Sequence, residues 1–463
     1  MRHFVAFVFV LTAGAAQAAT YQVGPTRPRT TLTQLFAQVN LQPGDIVEVD
    51  SAVYAGGIVM SGIDDGGDDE GAAGNPVVIR GIRDGLGVRP RLVGGTNTIE
   101  FRLADHIVFE GFEVSGTGNT TTGTFRCIYH HSNDVVIRDV FVHDCPRHGI
   151  LGADNDSGSL TVEYSEIFNA GSNGGNHAIY MATDEVAFPG SVFRLQYSWV
   201  HDSRFDNAVD GGNLIKSRAE RNEIYYNWLE DAFFHELELI GPDPSGGVPE
   251  GQAREDSDVV GNVIVHTGDF GAIVRFGGDA TGQSNGRYRF VNNTVIRRNA
   301  NNDTPTMFRL FDGIDSLEFH NNVIWREGAS SVTLARAVEA DWVTAVKVTG
   351  TNNWIDAGFV FNPTNLANTI TGTISGSTPG FSDLATYNLI PAAGSPLLDV
   401  GNGTPVSPAG YEIANPLFPP TREAAVRTVL PIGTATLRPL NGTIDIGAFE
   451  RANSDVLFAN GFE

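Results

Sequence analysis

Eight six-residue segments in the middle of the chain repeat one pattern, and a repeat of this length leaves few folds open. They are Phe109-Glu-Gly-Phe-Glu-Val114, Ile137-Arg-Asp-Val-Phe-Val142, Val162-Glu-Tyr-Ser-Glu-Ile167 and Leu195-Gln-Tyr-Ser-Trp-Val200, then Ile224-Tyr-Tyr-Asn-Trp-Leu229, Val259-Val-Gly-Asn-Val-Ile264, Phe290-Val-Asn-Asn-Thr-Val295 and Phe319-His-Asn-Asn-Val-Ile324. The first and sixth positions are always apolar. The fourth runs Phe112, Val140, Ser165, Ser198, Asn227, Asn262, Asn293, Asn322, at intervals of 25 to 35 residues. Such an interval is too short for a globular domain and suits one turn of a solenoid. Short β-rich runs broken by Gly, Asn and Asp indicate strands and turns, not helix pairs. The fixed leucines of a leucine-rich repeat and the longer blades of a propeller are absent. If coils stack about 4.8 Å apart, equivalent residues lie above one another. Asn over Asn then passes amide hydrogen bonds along the stack. The expected fold is all-β, a right-handed parallel β-helix.

A solenoid must cover its terminal core and its strand edges. Between Thr31 and Asn40, Leu32, Leu35, Phe36 and Val39 recur at helical spacing and predict a short N-terminal capping helix. Pro43-Gly-Asp45 ends it, and Ile46 to Val49 is expected to be the first strand. Residues 1–18 read as a secretory signal peptide: Arg2 and His3, an apolar run from Phe4 to Leu11, then Ala16-Gln-Ala18. That run is too short to span a bilayer. The expected layout is a capped β-helix over 19–353, C-terminal coils and cap over 354–450, and a tail over 451–463. Ser395-Pro-Leu-Leu-Asp399 and Asp445-Ile-Gly-Ala-Phe-Glu450 resemble the closing segments of bacterial surface β-helix proteins that carry a separate anchor. Asp455 to Glu463 resembles a short tail of exported Gram-negative proteins. The expectation is a secreted or cell-surface monomer without membrane insertion.

The net charge of −24 argues against a nucleic-acid partner and means that an acidic substrate must meet local cationic groups. Lysine is almost unused: only Lys216 and Lys347 occur. Cys127 and Cys145, the only cysteines, can pair in an oxidising compartment or stay as buried thiols; no zinc spacing is present.

A further strand follows each repeat: His148-Gly-Ile-Leu-Gly152, His177-Ala-Ile-Tyr-Met181, Asn213-Leu-Ile-Lys-Ser217, His235-Glu-Leu-Glu-Leu239. Side chains alternate across a strand. With Ile150, Ile179, Ile215 and Leu237 inward, Leu151, Tyr180, Lys216 and Glu238 face out, with Leu214 and Glu236 on the same outer face. Arg218 joins Lys216 if the strand continues. Lys216 then stands between Tyr180 and Glu238 among the carboxylates Asp206, Asp210, Glu230 and Asp231. An ammonium can give up its proton and act as a base, which a guanidinium cannot; a salt-bridged surface lysine is the other reading. Asp206, Asp210, Glu236 and Glu238 offer hard oxygens to calcium, or else form a solvated acidic rim. Asp64, Asp65, Asp68, Asp69 and Glu70 read as a solvated loop. The histidines at 148, 177 and 235 share a column with Asn213 and read as a polar ladder, though His177 or His235 could line a groove. Trp199, Trp228, Tyr225 and Phe233 either stack on sugar rings or cover the strands.

The stretch from Asp206 through Lys216-Ser-Arg218, followed by Asn222-Glu-Ile-Tyr-Tyr-Asn227, resembles bacterial β-helix proteins related to pectate and alginate lyases. The resemblance implies that Lys216 removes the proton beside a uronate carboxylate that calcium neutralises. It implies a polysaccharide substrate. Some of these lyases carry an arginine one coil above the lysine. Here that position reads Glu238, which leaves Arg218 or Arg275 as substitutes.

Three functions are therefore compared. In a calcium-assisted polysaccharide lyase, Lys216 is the base, Arg218 or Tyr180 assists at the leaving oxygen, and His235 is a further catalytic candidate. A glycoside hydrolase would use paired carboxylates, with Glu236 and Glu238 as candidates. A non-catalytic adhesion solenoid would need neither.

Overall fold

Each six-residue repeat forms two strands joined by a two-residue turn. In one coil Arg221–Tyr225 is the first strand, Tyr226 and Asn227 are the turn, and Trp228–Glu230 is the second strand. The first turn residue is left-handed in all eight repeats and in the coil that follows them: Gly111, Asp139, Tyr164, Tyr197, Tyr226, Gly261, Asn292, Asn321 and Asn352 have positive φ. A residue other than glycine gives up roughly 1–2 kcal/mol in that conformation, so something must hold it there. The second turn residue does so. The Oδ1 atoms of Asn262, Asn293, Asn322 and Asn353 accept from the backbone N–H of Asn227, Asn262, Asn293 and Asn322 at 2.9–3.0 Å. Their Nδ2 atoms donate to a first-strand carbonyl of the coil below, as Asn262 does to Ile224 at 2.8 Å. Ser165 and Ser198 start the ladder with hydroxyls in the same place. It ends at Asn353, one coil beyond the last of the eight repeats.

The computed structural model describes residues 18–118, 126–172, 174–204, 211–241, 255–268, 272–278, 286–298, 306–311, 313–328, 332–440 and 442–452. Among these, the strands stack into three parallel sheets. The first has 13 strands, from Thr20–Val23 to Asn368–Thr371; the second has 12, from Val53–Ala55 to Ile374–Gly376; the third has 11, from Ile58–Ser61 to Phe359–Asn362. The fold is a right-handed parallel β-helix. First and sixth repeat positions face the interior: Ile224, Leu229, Val259, Ile264, Phe290 and Val295 are fully buried. Phe276, Phe290, Phe308 and Phe319 fill its upper part, with ring centroids 4.9–6.4 Å apart.

Several expectations change. The first strand is Thr20–Val23, which pairs with Ile46–Asp50. The helix spans only Leu32–Phe36, with Thr31 accepting from the Gln34 N–H and Leu32 and Leu35 buried. Asp69 is not a loop group in water. It is buried and accepts from the Leu41 N–H at 2.9 Å, and burial raises its pKa to about 6. Cys127 and Cys145 are joined by a disulfide. The segment expected to be a signal peptide lies outside the described residues except for Ala18, and so does the tail from 453 onward.

The C-terminal region continues the stack through Trp354–Asp356, Phe359–Asn362, Asn368–Thr371 and Ile374–Gly376. Stacking stops at Ile374–Gly376, and Phe381–Asp383 pairs antiparallel with Asn388–Pro391. The chain then runs back along the second sheet as an irregular strap. Leu397 and Ile446 pack on Val323 and Trp354; Ala424, Ala448 and Phe449 pack on Trp228, Val263, Val265 and Ile296. Backbone groups of the strap also meet the coil turns. Asn292 Nδ2 donates to the Asp445 carbonyl, and the Thr421 N–H donates to the Tyr226 hydroxyl.

The ladder gives a direct test. Asn262→Ala strands the Asn227 N–H and the Ile224 carbonyl in the interior, and should cost on the order of 3 kcal/mol. Asn262→Ser should cost less, because a serine hydroxyl can still accept the backbone N–H, as Ser198 does from Ser165, and only the Ile224 carbonyl loses its partner; the Ser198 proton goes to the Gln196 carbonyl of its own coil. Urea unfolding of the three proteins checks the order; equal midpoints for the Ala and Ser variants would contradict this role.

Candidate functional site

The outer face of the third sheet carries the candidate residues. Parallel pairing sets Tyr180 opposite Lys216 and Lys216 opposite Glu238, so the three form one column. Lys216 Nζ lies 5.5 Å from the centre of the Tyr180 ring and 3.8 Å from Glu238 Oε2. The lysine side chain is 16% exposed and that of Glu238 2%. Glu238 also pairs with the Arg275 guanidinium and accepts from Asn213 Nδ2. Pairing places Arg275 directly above Glu238, two coils from Lys216.

Behind this column runs a line of imidazoles. The His177 N–H donates to His148 Nδ1 at 3.2 Å, and the Asn213 N–H donates to His177 Nδ1 at 3.1 Å. These bonds place the protons of His148 and His177 on Nε2. His235 Nδ1 donates to the Ala272 carbonyl. Burial first, and then nearby cationic charge that includes Lys216, lowers the pKa of His148 and His235 to about 3 and that of His177 well below its ordinary value. The expected polar column is therefore present, and its rings are neutral. His235 is 5% exposed and sits in this wall, not at the open surface.

Other candidates are placed elsewhere. Arg218 does not stand beside Lys216 on the open face. It is 2% exposed and donates to the Gly241 carbonyl at 3.1 Å. Glu236 does not share a face with Glu238, because regular strand begins only at Leu237 and the residue before it turns inward. Its column neighbours Leu214 and Ile273 are core residues, which also corrects the outward placement of Leu214. The Glu236 carboxylate is fully buried against His266 Nδ1 at 2.8 Å and accepts from the Ala232 N–H at 3.1 Å. Its pKa is raised by burial, and His266 opposes that shift. Glu230 holds Trp228 Nε1 and Arg427, and Asp231 accepts from Thr267. Of the described carboxylates that the sequence gathers near Lys216, Glu238 is the one that reaches it. Asp206 and Asp210 lie outside the described residues.

Calcium takes about six to eight oxygen ligands. Glu236 and Glu238 do not suit it as a pair: one oxygen set is committed to an interior histidine, the other to Lys216, Arg275 and Asn213. Among the described residues no group of three His, Cys, Asp or Glu side chains converges as a metal site. The paired carboxylates of a hydrolase are equally missing at this strand. Trp228 is buried beneath the strap and Tyr225 is bound to Asp258, so neither offers a face to a sugar.

Several solved structures resemble this chain in fold. A pectate lyase, Pel9A, superposes with a TM-score of 0.55 at 14% identity, covering 95% of this chain and 98% of its own. The likeness is one of fold. A XylC structure in complex with xylose reaches a TM-score of 0.47 at 10% identity, over 76% of this chain and 86% of that one. A PL6 family polysaccharide lyase from Pseudopedobacter saltans reaches 0.46 at 9% identity, over 80% and 95%. No protein-family model matches the sequence, and no curated protein matches it. No helix among the described residues is long and apolar enough to cross a membrane.

The sequence offers Arg275 only as a substitute arginine, with no place in the column, and leaves Arg309 unnamed. Ala272-Ile-Val-Arg-Phe276 and Thr306-Met-Phe-Arg-Leu310 continue the third-sheet series with arginine in the lysine column. Their shared fourth-position arginine is a signal in the sequence, but only the strand register aligns it with Lys216.

The neutral histidines predict acid sensitivity. An unfolded imidazole titrates near 6.5. As pH falls below that value toward about 3, the unfolded chain takes protons that the folded one refuses, so stability declines. In His177→Asn the side-chain Oδ1 can accept from the Asn213 N–H without titrating. The drop in melting temperature between roughly pH 7 and pH 4 should shrink in that variant. An unchanged drop would remove His177 from the account.

Proposed function

We propose that this protein cleaves an acidic, uronate-containing polysaccharide by β-elimination, with Lys216 as the base. One observation carries the reading. One of only two lysines in the chain stands on the outer face of the third sheet, held between an aromatic hydroxyl residue and a buried carboxylate, against a wall of neutral imidazoles. Each part has a chemical use. Deprotonated Lys216 takes the proton from the carbon beside the uronate carboxylate. The electron pair left there forms the new double bond, and the glycosidic oxygen on the next carbon departs. Tyr180, partly exposed one coil below, can give that oxygen its proton. The buried position of Arg218 makes Tyr180 the better donor. Glu238 fixes the position of the Lys216 side chain and holds its ammonium once the proton has been taken.

The fold shared with a pectate lyase supports a carbohydrate substrate, since solenoids of this shape offer a long face to a polymer. The Cys127–Cys145 bridge fits an oxidising compartment and supports an exported location. A divalent cation, if the reaction uses one, must draw on oxygens other than the Glu236 and Glu238 pair.

The test is an assay of the purified protein on polygalacturonate, alginate and other uronates, with added calcium and with chelator, following the ultraviolet absorbance of the unsaturated product end. Lys216→Ala and Lys216→Arg should each lower the rate on the order of a hundredfold or more, because a guanidinium keeps its proton. New reducing ends without absorbance would mean hydrolysis. Binding without any cleavage would mean a non-catalytic solenoid.

A further inference from the structure

The lysine column does not end at Glu238. Parallel pairing stacks Arg275, Arg309 and Arg336 above it, one per coil. We propose that Arg275 and Arg309 form a carboxylate-binding subsite of the same face, two and three coils from Lys216, so that a uronate polymer lies along the solenoid axis. The identity of the polymer rests on the lyase reading; the subsite itself concerns binding.

Three observations carry it. First, the guanidinium groups are fixed. The Phe311 ring contacts both, with its centre 4.7 Å from the Arg275 Cζ and 3.9 Å from the Arg309 Cζ. Phe311 is seated against Gly278, where a Cβ would come within 3.0 Å of its own Cβ. Arg275 also donates to the Gly278 carbonyl at 3.3 Å, and Arg309 donates to the Arg336 carbonyl at 3.3 Å. Second, the groups remain reachable: the side chains of Arg275 and Arg309 are 20% and 12% exposed, and Arg336 is exposed. A fixed, planar guanidinium at a surface is suited to a carboxylate fork. Third, the charge is local and against the trend of the molecule. Among the described residues Arg275, Arg309 and Arg336 face Glu238 and Glu339 along this column, three guanidinium groups against two carboxylates even without Lys216, in a chain of net charge −24. A polyanion is repelled elsewhere and drawn here. The pitch also fits. Two coils measure on the order of 10 Å, which is the length of a disaccharide unit, so carboxylates of sugars two and three units from the cleaved bond arrive at the arginines.

Binding is measured with full-length Lys216→Ala protein, by calorimetry, against polygalacturonate, alginate, neutral xylan and dextran sulfate. The proposal expects a uronate to bind, xylan not to bind, and dextran sulfate to bind more weakly than the uronate. Arg309→Gln should weaken uronate binding about tenfold or more, with an unchanged melting temperature. Phe311→Leu should weaken it less. Uronate affinity that Arg309→Gln and Arg275→Gln both leave intact would overturn the subsite. So would absence of uronate binding, or a preference for dextran sulfate, which would mean that the column senses charge alone. If uronate binds through Arg309 but the unmutated protein yields no unsaturated product, the lyase reading fails and the subsite stands.

Discussion

The Ser/Asn ladder is the interaction on which the remaining architecture depends. A parallel sheet tolerates sliding only if its faces do not care which residue meets which, and here both faces care. From Ser165 to Asn353 the ladder residue sits beside a left-handed turn residue, and from Asn227 onward its amide ties that turn to the coils above and below. The turn cannot move along the chain without stranding a buried N–H or carbonyl. Register is thereby fixed at the corner of the first and second sheets in every coil of the ladder, and the third sheet inherits it there. A column such as Tyr180, Lys216, Glu238, Arg275, Arg309 exists because of this, although its members are separated by 22 to 37 residues of chain of differing loop length.

The interior of this solenoid also holds polar groups that a bare hydrophobic core would exclude. The Glu236–His266 pair is fully buried, and its carboxylate is additionally met by the Ala232 N–H. Glu236 thereby braces the 232–236 turn two residues before Glu238. On the other side of the same strand, Glu238 is nearly buried among Asn213, Lys216 and Arg275. Adjacent carboxylates of one short segment therefore do opposite work: one ties the turn to the interior, the other holds cations at the surface. Removing either partner from such a pair leaves a charge in a poorly solvating site, which is costlier than the pair is favourable.

The strap distinguishes the faces of the solenoid. Arg438 lies wholly buried, bound to Glu450 Oε2 at 2.9 Å and to the Gly447 and Asp445 carbonyls, so the strap has a folded centre of its own. From there it covers Trp228, Val263 and Ile296 on the second sheet and the tyrosine corner at Tyr226. Arginines of the first sheet are taken up by carboxylate neighbours, as in Arg80–Glu110–Arg138 and Arg194–Glu223–Arg221. The third sheet is where Lys216, Arg275 and Arg309 gather with fewer carboxylates than cations. Chemistry is proposed on that face because the other two are occupied by packing and by ladders of paired charge.

How much was legible depends on the range of the interaction concerned. Apolar first and sixth positions, the serine and asparagine column and the placing of Lys216 between Tyr180 and Glu238 all follow from repetition, because stacking turns sequence period directly into neighbourhood. The sequence by itself therefore determined the coil, its interior and the lysine column. It did not determine the direction of Glu236, since alternation holds only within a strand and that residue lies one position before it. Nor could it bury Arg218 at Gly241, align Arg275 and Arg309 across long turns, or lay residues 392–452 back on the second sheet. Those outcomes rest on contacts between segments that share no period, and only the tertiary structure decided them, because a periodic pattern carries no information about a partner that does not repeat.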